Sequence, residues 1–223
     1  MGQLPTQLLD LRLLKEPIFR VSNVVSMLAQ GAFLGVIFLM PLYLQDLRGV
    51  SALQSGLATF PQAIGVVTAS QISGRIYPRI GPRRLMMAGM VAGTVSGALF
   101  GFVGTGTSLW AIRGLMLLRG FCLGIAFVPL QAASYAQIQP KDNGRASSIF
   151  ATGRQMAISV SVAVLATIFT TMVPFDEIGA RPDDALDAFR VAFLVCAGFS
   201  AVAAVAATRV RDDLAANTMV RRR

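Results

Sequence analysis

Histidine is absent from all 223 residues, which excludes imidazole acid–base catalysis, imidazole metal ligation and a Ser-His-Asp arrangement within this chain. The two cysteines, Cys122 and Cys196, lie inside apolar runs without metal-ligand or disulfide-framework spacing and read as small buried hydrophobes. No Walker A pattern is present, so ATP-driven chemistry has no support. No catalytic residue, metal site or cofactor is expected, and the chain does not read as an enzyme. The residues left with chemistry to do are Arg119 and Arg154, which fall deep inside apolar stretches. A charge at bilayer depth costs several kcal/mol, so each marks a functional contact or a structural strut. Gln30, Phe33, Gln62 and Gln155 join them as candidate lining of a cavity for an amphipathic substrate.

These residues need helices to carry them. The chain is 54% hydrophobic and only 14% charged, with a mean hydropathy of +0.63, whereas soluble domains are about 25% charged. Such a composition excludes disorder as well as an ordinary soluble domain. Six stretches, 24–44, 53–73, 85–103, 109–131, 148–172 and 189–208, approach the length of about 20 residues that a membrane-crossing helix needs. The expected fold is all-α and polytopic, with six transmembrane helices in one bundle. The expected organisation is a lead segment 1–20, the bundle 21–208 and a basic tail 209–223. Asp10, Arg12, Lys15 and Glu16 interrupt the lead segment, which therefore does not read as a cleavable signal.

Basic residues tend to stay on the cytoplasmic side. Six spans place both termini together, with Arg12, Lys15, Arg20, Arg75, Arg79, Arg83, Arg84, Lys141, Arg145, Arg209, Arg211, Arg221, Arg222 and Arg223 on that side. Only Arg48, Arg181 and Arg190 fall on the other. The reading is a multi-pass protein of the inner or plasma membrane with both termini cytoplasmic. The membrane accounts for the net charge of +9, and no nucleic acid is expected. The outer loop 173–188 carries Asp176, Glu177, Asp183, Asp184 and Asp187 and reads as a solvated loop. No acid falls within a span.

The third span carries Gly89, Gly93, Gly97 and Gly101 at strict four-residue spacing, a stripe for close helix packing. The sixth is rich in alanine. These two read as peripheral helices, while Gln30 on the first span, Gln54, Thr59, Gln62, Thr68 and Gln71 on the second, Arg119 and Gln131 on the fourth, and Arg154 and Gln155 on the fifth mark the cavity side. Counted from the shared loop, Arg154 sits about 15 Å deep and Arg119 about 27 Å, at about 1.5 Å per residue. Arg113, nearer the outer end, can snorkel.

The inner loop 74–85 resembles the G-x-x-x-D-R-x-G-R-R signature of the major facilitator superfamily. Gly74, Arg79, Gly81, Arg83 and Arg84 match, and Pro78 replaces the aspartate. The physical reading is of glycines permitting a tight turn and arginines anchoring at an anionic membrane face. Three further stretches, 41–45, 118–130 and 144–155, are similar to the branch containing fourteen-spanner drug/proton antiporters, and 9–13 is like the linker before the last six helices of such proteins. The resemblance implies a C-terminal half, with spans one, two, four and five facing a central cavity. It implies a proton-coupled exporter of drugs or small amphipathic molecules that needs an N-terminal bundle, since the membrane carboxylate of full-length members lies in that other half. A homodimeric six-helix transporter, or a non-transporting membrane interaction protein or inactive remnant, is the alternative. Expected partners are lipids, a small-molecule substrate, and an N-terminal bundle or a second copy.

Overall fold

The computed structural model describes residues 15–135, 138, 142–173, 178 and 180–210. The expected lead segment up to residue 14, the tail from 211, Lys141, Asp176 and Glu177 lie outside the described residues.

Among the described residues every regular element is helical. Helix α1 (Pro17–Pro41) starts on Pro17, whose missing N–H costs nothing in a first turn. It passes through Pro41 into a wide π-helical turn, Leu42–Leu47. Helix α2 (Ala52–Thr59) is capped by Ser51, whose hydroxyl accepts from the Gln54 amide at 3.3 Å. It meets α3 (Pro61–Ile80) at Phe60, which keeps helical dihedrals of −52° and −38°, so no loop separates the two. Then come α4 (Pro82–Leu99), a 3-10 turn at Phe100–Phe102, α5 (Leu109–Tyr135), α6 (Asn143–Met172) and α7 (Pro182–Ala207).

Five of these, α1 with its π-helical extension, α4, α5, α6 and α7, are long and apolar enough to cross a membrane. The second expected span is not one of the five. It is divided between α2 and α3 and diluted by Gln54, Thr59, Gln62, Thr68 and Gln71.

The expected inner loop at 74–85 is also corrected. Helix α3 runs through Gly74 and Pro78 to Ile80, and α4 begins at Pro82, so Gly81 alone forms the corner. Its φ of 86° is open to glycine and strained for other residues. Its N–H donates to the Tyr77 carbonyl at 2.9 Å, closing the last turn of α3. Gly74 makes no turn, and a Cβ there would meet open space.

The core divides between the two ends of the bundle. Away from the described termini, Tyr43, Phe100, Phe169, Phe189 and Phe193 form an aromatic cluster, with the Phe169 and Phe189 rings 4.7 Å apart and edge to face. Near the termini, Ile18, Val25, Met86, Leu123 and Leu130 pack against Ala203, Ala207 and Val210.

Glycine controls how close the helices come. A Cβ on Gly89 would lie 2.8 Å from the Ala126 Cβ, one on Gly93 2.6 Å from a Leu123 methyl, and one on Gly101 3.3 Å from Leu194. A Cβ on Gly97 would lie 2.7 Å from an Arg119 nitrogen and 3.1 Å from Ala197. Helix α4 thus presents its stripe to α5 and α7. Tighter still is the α3–α5 crossing, where backbone meets backbone: Gly65 faces the Leu117 carbonyl, and Gly120 faces the Gln62 carbonyl. Helix α1 carries a further pair, Gly31 and Gly35, against Ser161 and Cys196.

Candidate functional site

Several polar residues of the bundle gather along one seam. Ser26 and Gln30 of α1, Phe127, Leu130 and Gln131 of α5, and Phe150 and Arg154 of α6 line a cleft of about 210 Å³. A shallower hollow of about 550 Å³ shares Phe127 and Gln131 with it and extends the surface to Ser70 of α3. The wall is therefore drawn from α1, α3, α5 and α6. Phe33 stands behind it, its ring 5.5 Å from Phe127 and edge to face. The cleft offers a guanidinium, two amides, a hydroxyl and aromatic carbon, which suits an amphipathic molecule with an acceptor or anionic group.

Not every candidate arrives there. Gln155 is exposed on α6, where the helical turn rotates it away from its neighbour Arg154. Gln62 is 4% exposed, its amide nitrogen without a hydrogen-bond partner, and its own backbone forms the α3–α5 contact.

Arg119, expected at the cavity wall, lies instead in the bundle interior at 0% exposure. Its Nη2 donates to the Ala32 carbonyl at 2.7 Å, while Nε and Nη1 have no hydrogen-bond partner. The four-residue glycine stripe explains the placement, because Gly97 leaves the space the guanidinium occupies. Arg119 is a strut between α5 and α1.

Other interhelical hydrogen bonds use side-chain hydroxyls. Ser161 donates to the Gly31 carbonyl at 2.8 Å and Ser73 to that of Ile125 at 2.7 Å, while Tyr43 ties its helix to the connection before α5 by donating to the Gly104 carbonyl at 2.8 Å. Arg113 lies over the Trp110 ring, 4.4 Å from its centroid, at the start of α5. At the opposite end, Arg79, Arg83 and Arg84 surround the Gly81 corner and are exposed.

The sequence reading passed over Ser26, Ser70, Phe127 and Phe150. Ser26 and Gln30 have the four-residue spacing of one helical face, a signal available in the sequence. Ser70, by contrast, sits among equally small neighbours.

A bundle of long apolar helices with a polar seam is the architecture of a helical membrane-transporter family. The chain belongs to the Major Facilitator Superfamily, whose family model matches residues 23–218. It is similar to the MFS-type transporter YhcA of Bacillus subtilis, 31% identical over 168 residues, covering 75% of this chain and 32% of that protein. A multidrug resistance protein B homolog of Mycobacterium tuberculosis is 26% identical over 174 residues, 77% of this chain and 32% of the relative. The lincomycin resistance protein LmrB of Listeria monocytogenes is 26% identical over 163 residues, 73% and 35%. The chain spans about a third of the length of these relatives.

Proposed function

We propose that this chain forms the C-terminal half of a proton-coupled exporter of drugs or small amphipathic molecules and works with an N-terminal six-helix bundle. The carrying observation is the polar seam of Ser26, Gln30, Gln131 and Arg154, which lies open on one flank of a chain a third the length of its relatives. Alternating access rocks two bundles around a site between them, so a lone bundle supplies one wall. Arg154 holds an anionic or acceptor group of the substrate, or pairs with a carboxylate of the opposite bundle when the inner gate closes. Protons are exchanged by that other bundle, since the described acids Glu16, Asp46, Asp142, Asp183, Asp184 and Asp187 occupy helix ends and turns. The role is transport rather than catalysis, in the inner membrane with both termini cytoplasmic.

Purified chain in liposomes, given a pH gradient, should move substrate no faster than empty vesicles, and adding the N-terminal bundle should restore efflux. Robust efflux by the chain alone would replace this reading with a homodimer. Reporter fusions after Arg84 should read cytoplasm and those near Gly179 the outside; a cytoplasmic signal near Gly179 would overturn the orientation.

A further inference from the structure

On the other flank of the α1–α6 contact lies a second cleft of about 210 Å³ with almost purely apolar walls. Met27, Leu28 and Gly31 of α1, Met156 and Val160 of α6, and Phe199 of α7 line it. The Ser161 hydroxyl also lines it but is already committed to the Gly31 carbonyl at 2.8 Å, so the lining offers a polar ligand little. The volume is below the roughly 300 to 1,000 Å³ of drug-sized pockets. A cleft of this size with apolar walls suits a single hydrocarbon chain, to which the two methionine thioethers can conform.

Beyond the cleft, toward the end of the bundle that carries the described termini, the surface is charged. Arg20 precedes Met27 by seven residues, two helical turns, and so shares its face of α1 about 10 Å closer to the end of the bundle that carries the termini. Val24, 44% exposed, lies between them. Arg209 stands in the turn just beyond α7. Ile18 and Val210, close neighbours in sequence of these two arginines, belong to one buried cluster, so both arginines stand at the end of the bundle that carries the described termini. Both are exposed, and Glu16, one turn before Arg20, is the acid on α1's end.

We propose that this cleft seats an acyl chain of an anionic phospholipid whose phosphate lies between Arg20 and Arg209. Interfacial arginines attract anionic headgroups, and an apolar groove rising from them into the membrane receives the tail. The site is separate from the polar seam and independent of the transport reading.

The test uses the full chain, purified in detergent, delipidated and titrated with dioleoyl phosphatidylglycerol or dioleoyl phosphatidylcholine, with bound lipid read by native mass spectrometry. The two lipids share their tails and differ in headgroup charge. Phosphatidylglycerol should bind at least about tenfold more tightly, since each arginine contributes about fivefold. Replacing both arginines, Arg20→Gln with Arg209→Gln, should bring it down to the phosphatidylcholine level. Val160→Trp, at a position 59% exposed, fills the cleft without touching the core and should weaken both lipids about tenfold at unchanged melting temperature. Equal affinity of the two lipids for the wild-type chain, or unchanged binding by Val160→Trp, overturns the proposal. So does efficient disulfide crosslinking of Val160→Cys to a second copy or another polypeptide in native membranes, which would show a protein occupying the cleft.

Discussion

Helices α5 and α6 follow each other in sequence and are similarly apolar, yet they are held very differently. In the apolar window of α5, 44% of residues are buried; in that of α6, only 17% are. Helix α5 is clamped by α3 on one side and α4 on the other, with Gly65, Gly89, Gly120 and Gly124 bringing backbones together and Gly93 and Gly97 making room for Leu123 and Arg119. Helix α6 leans on α1 through Gly31 and Gly153, and the Cβ of an alanine at Gly153 would make ordinary contacts, with the Met27 sulfur at 3.4 Å and the Asn23 side-chain oxygen at 4.0 Å. The clamped helix carries the strut, Arg119; the leaning one carries Arg154, exposed in the cleft. If Arg154 meets substrate as proposed, rigidity and substrate contact fall to different helices. A gate that must move is drawn from elements with few buried contacts.

The sharpest way to break this contrast is to place the same bulk in both helices. Gly120→Leu should cost more than about 3 kcal/mol or abolish assembly, because backbone cannot yield to it, whereas Gly153→Leu should cost under about 1 kcal/mol. Thermal unfolding in detergent and membrane abundance measure both, and equal losses would erase the distinction. Arg119 comes next. Arg119→Ala should destabilise by roughly 3 kcal/mol through the void it leaves. Arg119→Met, which fills the space and removes an interior charge, should be neutral or stabilising by about 1 kcal/mol or more. A large loss in the Met variant would mean the charge itself is needed. Gly93→Leu and Gly97→Leu should each cost about 2 kcal/mol, while Val95→Leu, off the stripe and 58% exposed, should stay within about 0.5 kcal/mol. Smallest in stability is Arg154: Arg154→Ala and Arg154→Lys should both shift unfolding by less than about 0.5 kcal/mol. In the reassembled transporter both should lower efflux, the lysine because it loses the planar fork. Normal efflux by both variants would leave Arg154 without a role in the site.

The helical architecture was legible because apolar length is a strong signal, and the stripe at Gly89, Gly93, Gly97 and Gly101 was legible because its period is strict. Gly120 and Gly124 have the same four-residue spacing but are masked by the neighbouring arginine, which drew attention to charge instead of packing. The corner at Gly81 was expected as a longer loop through resemblance to a loop signature, whereas α3 runs on through Pro78 and Gly81 alone breaks the helix. In sequence the two arginines differed in depth, about 15 Å against about 27 Å, but not in surroundings. What separates them is which side of each helix meets a neighbour, a tertiary fact: Gly97 encloses Arg119, and nothing encloses Arg154.

The stacked pair at the start of α5 sets a length. Trp110 is 76% exposed with Arg113 over its ring, and Gln131 is exposed toward the other end of the same helix. The rise between Trp110 and Gln131 is about 32 Å, close to the hydrocarbon thickness of an ordinary bilayer at about 30 Å. Because α5 is also the helix its neighbours clamp, it cannot shorten its reach by tilting alone. In a membrane of short-chain lipids the mismatch therefore falls on the whole bundle, which must lean together or thin the surrounding lipid.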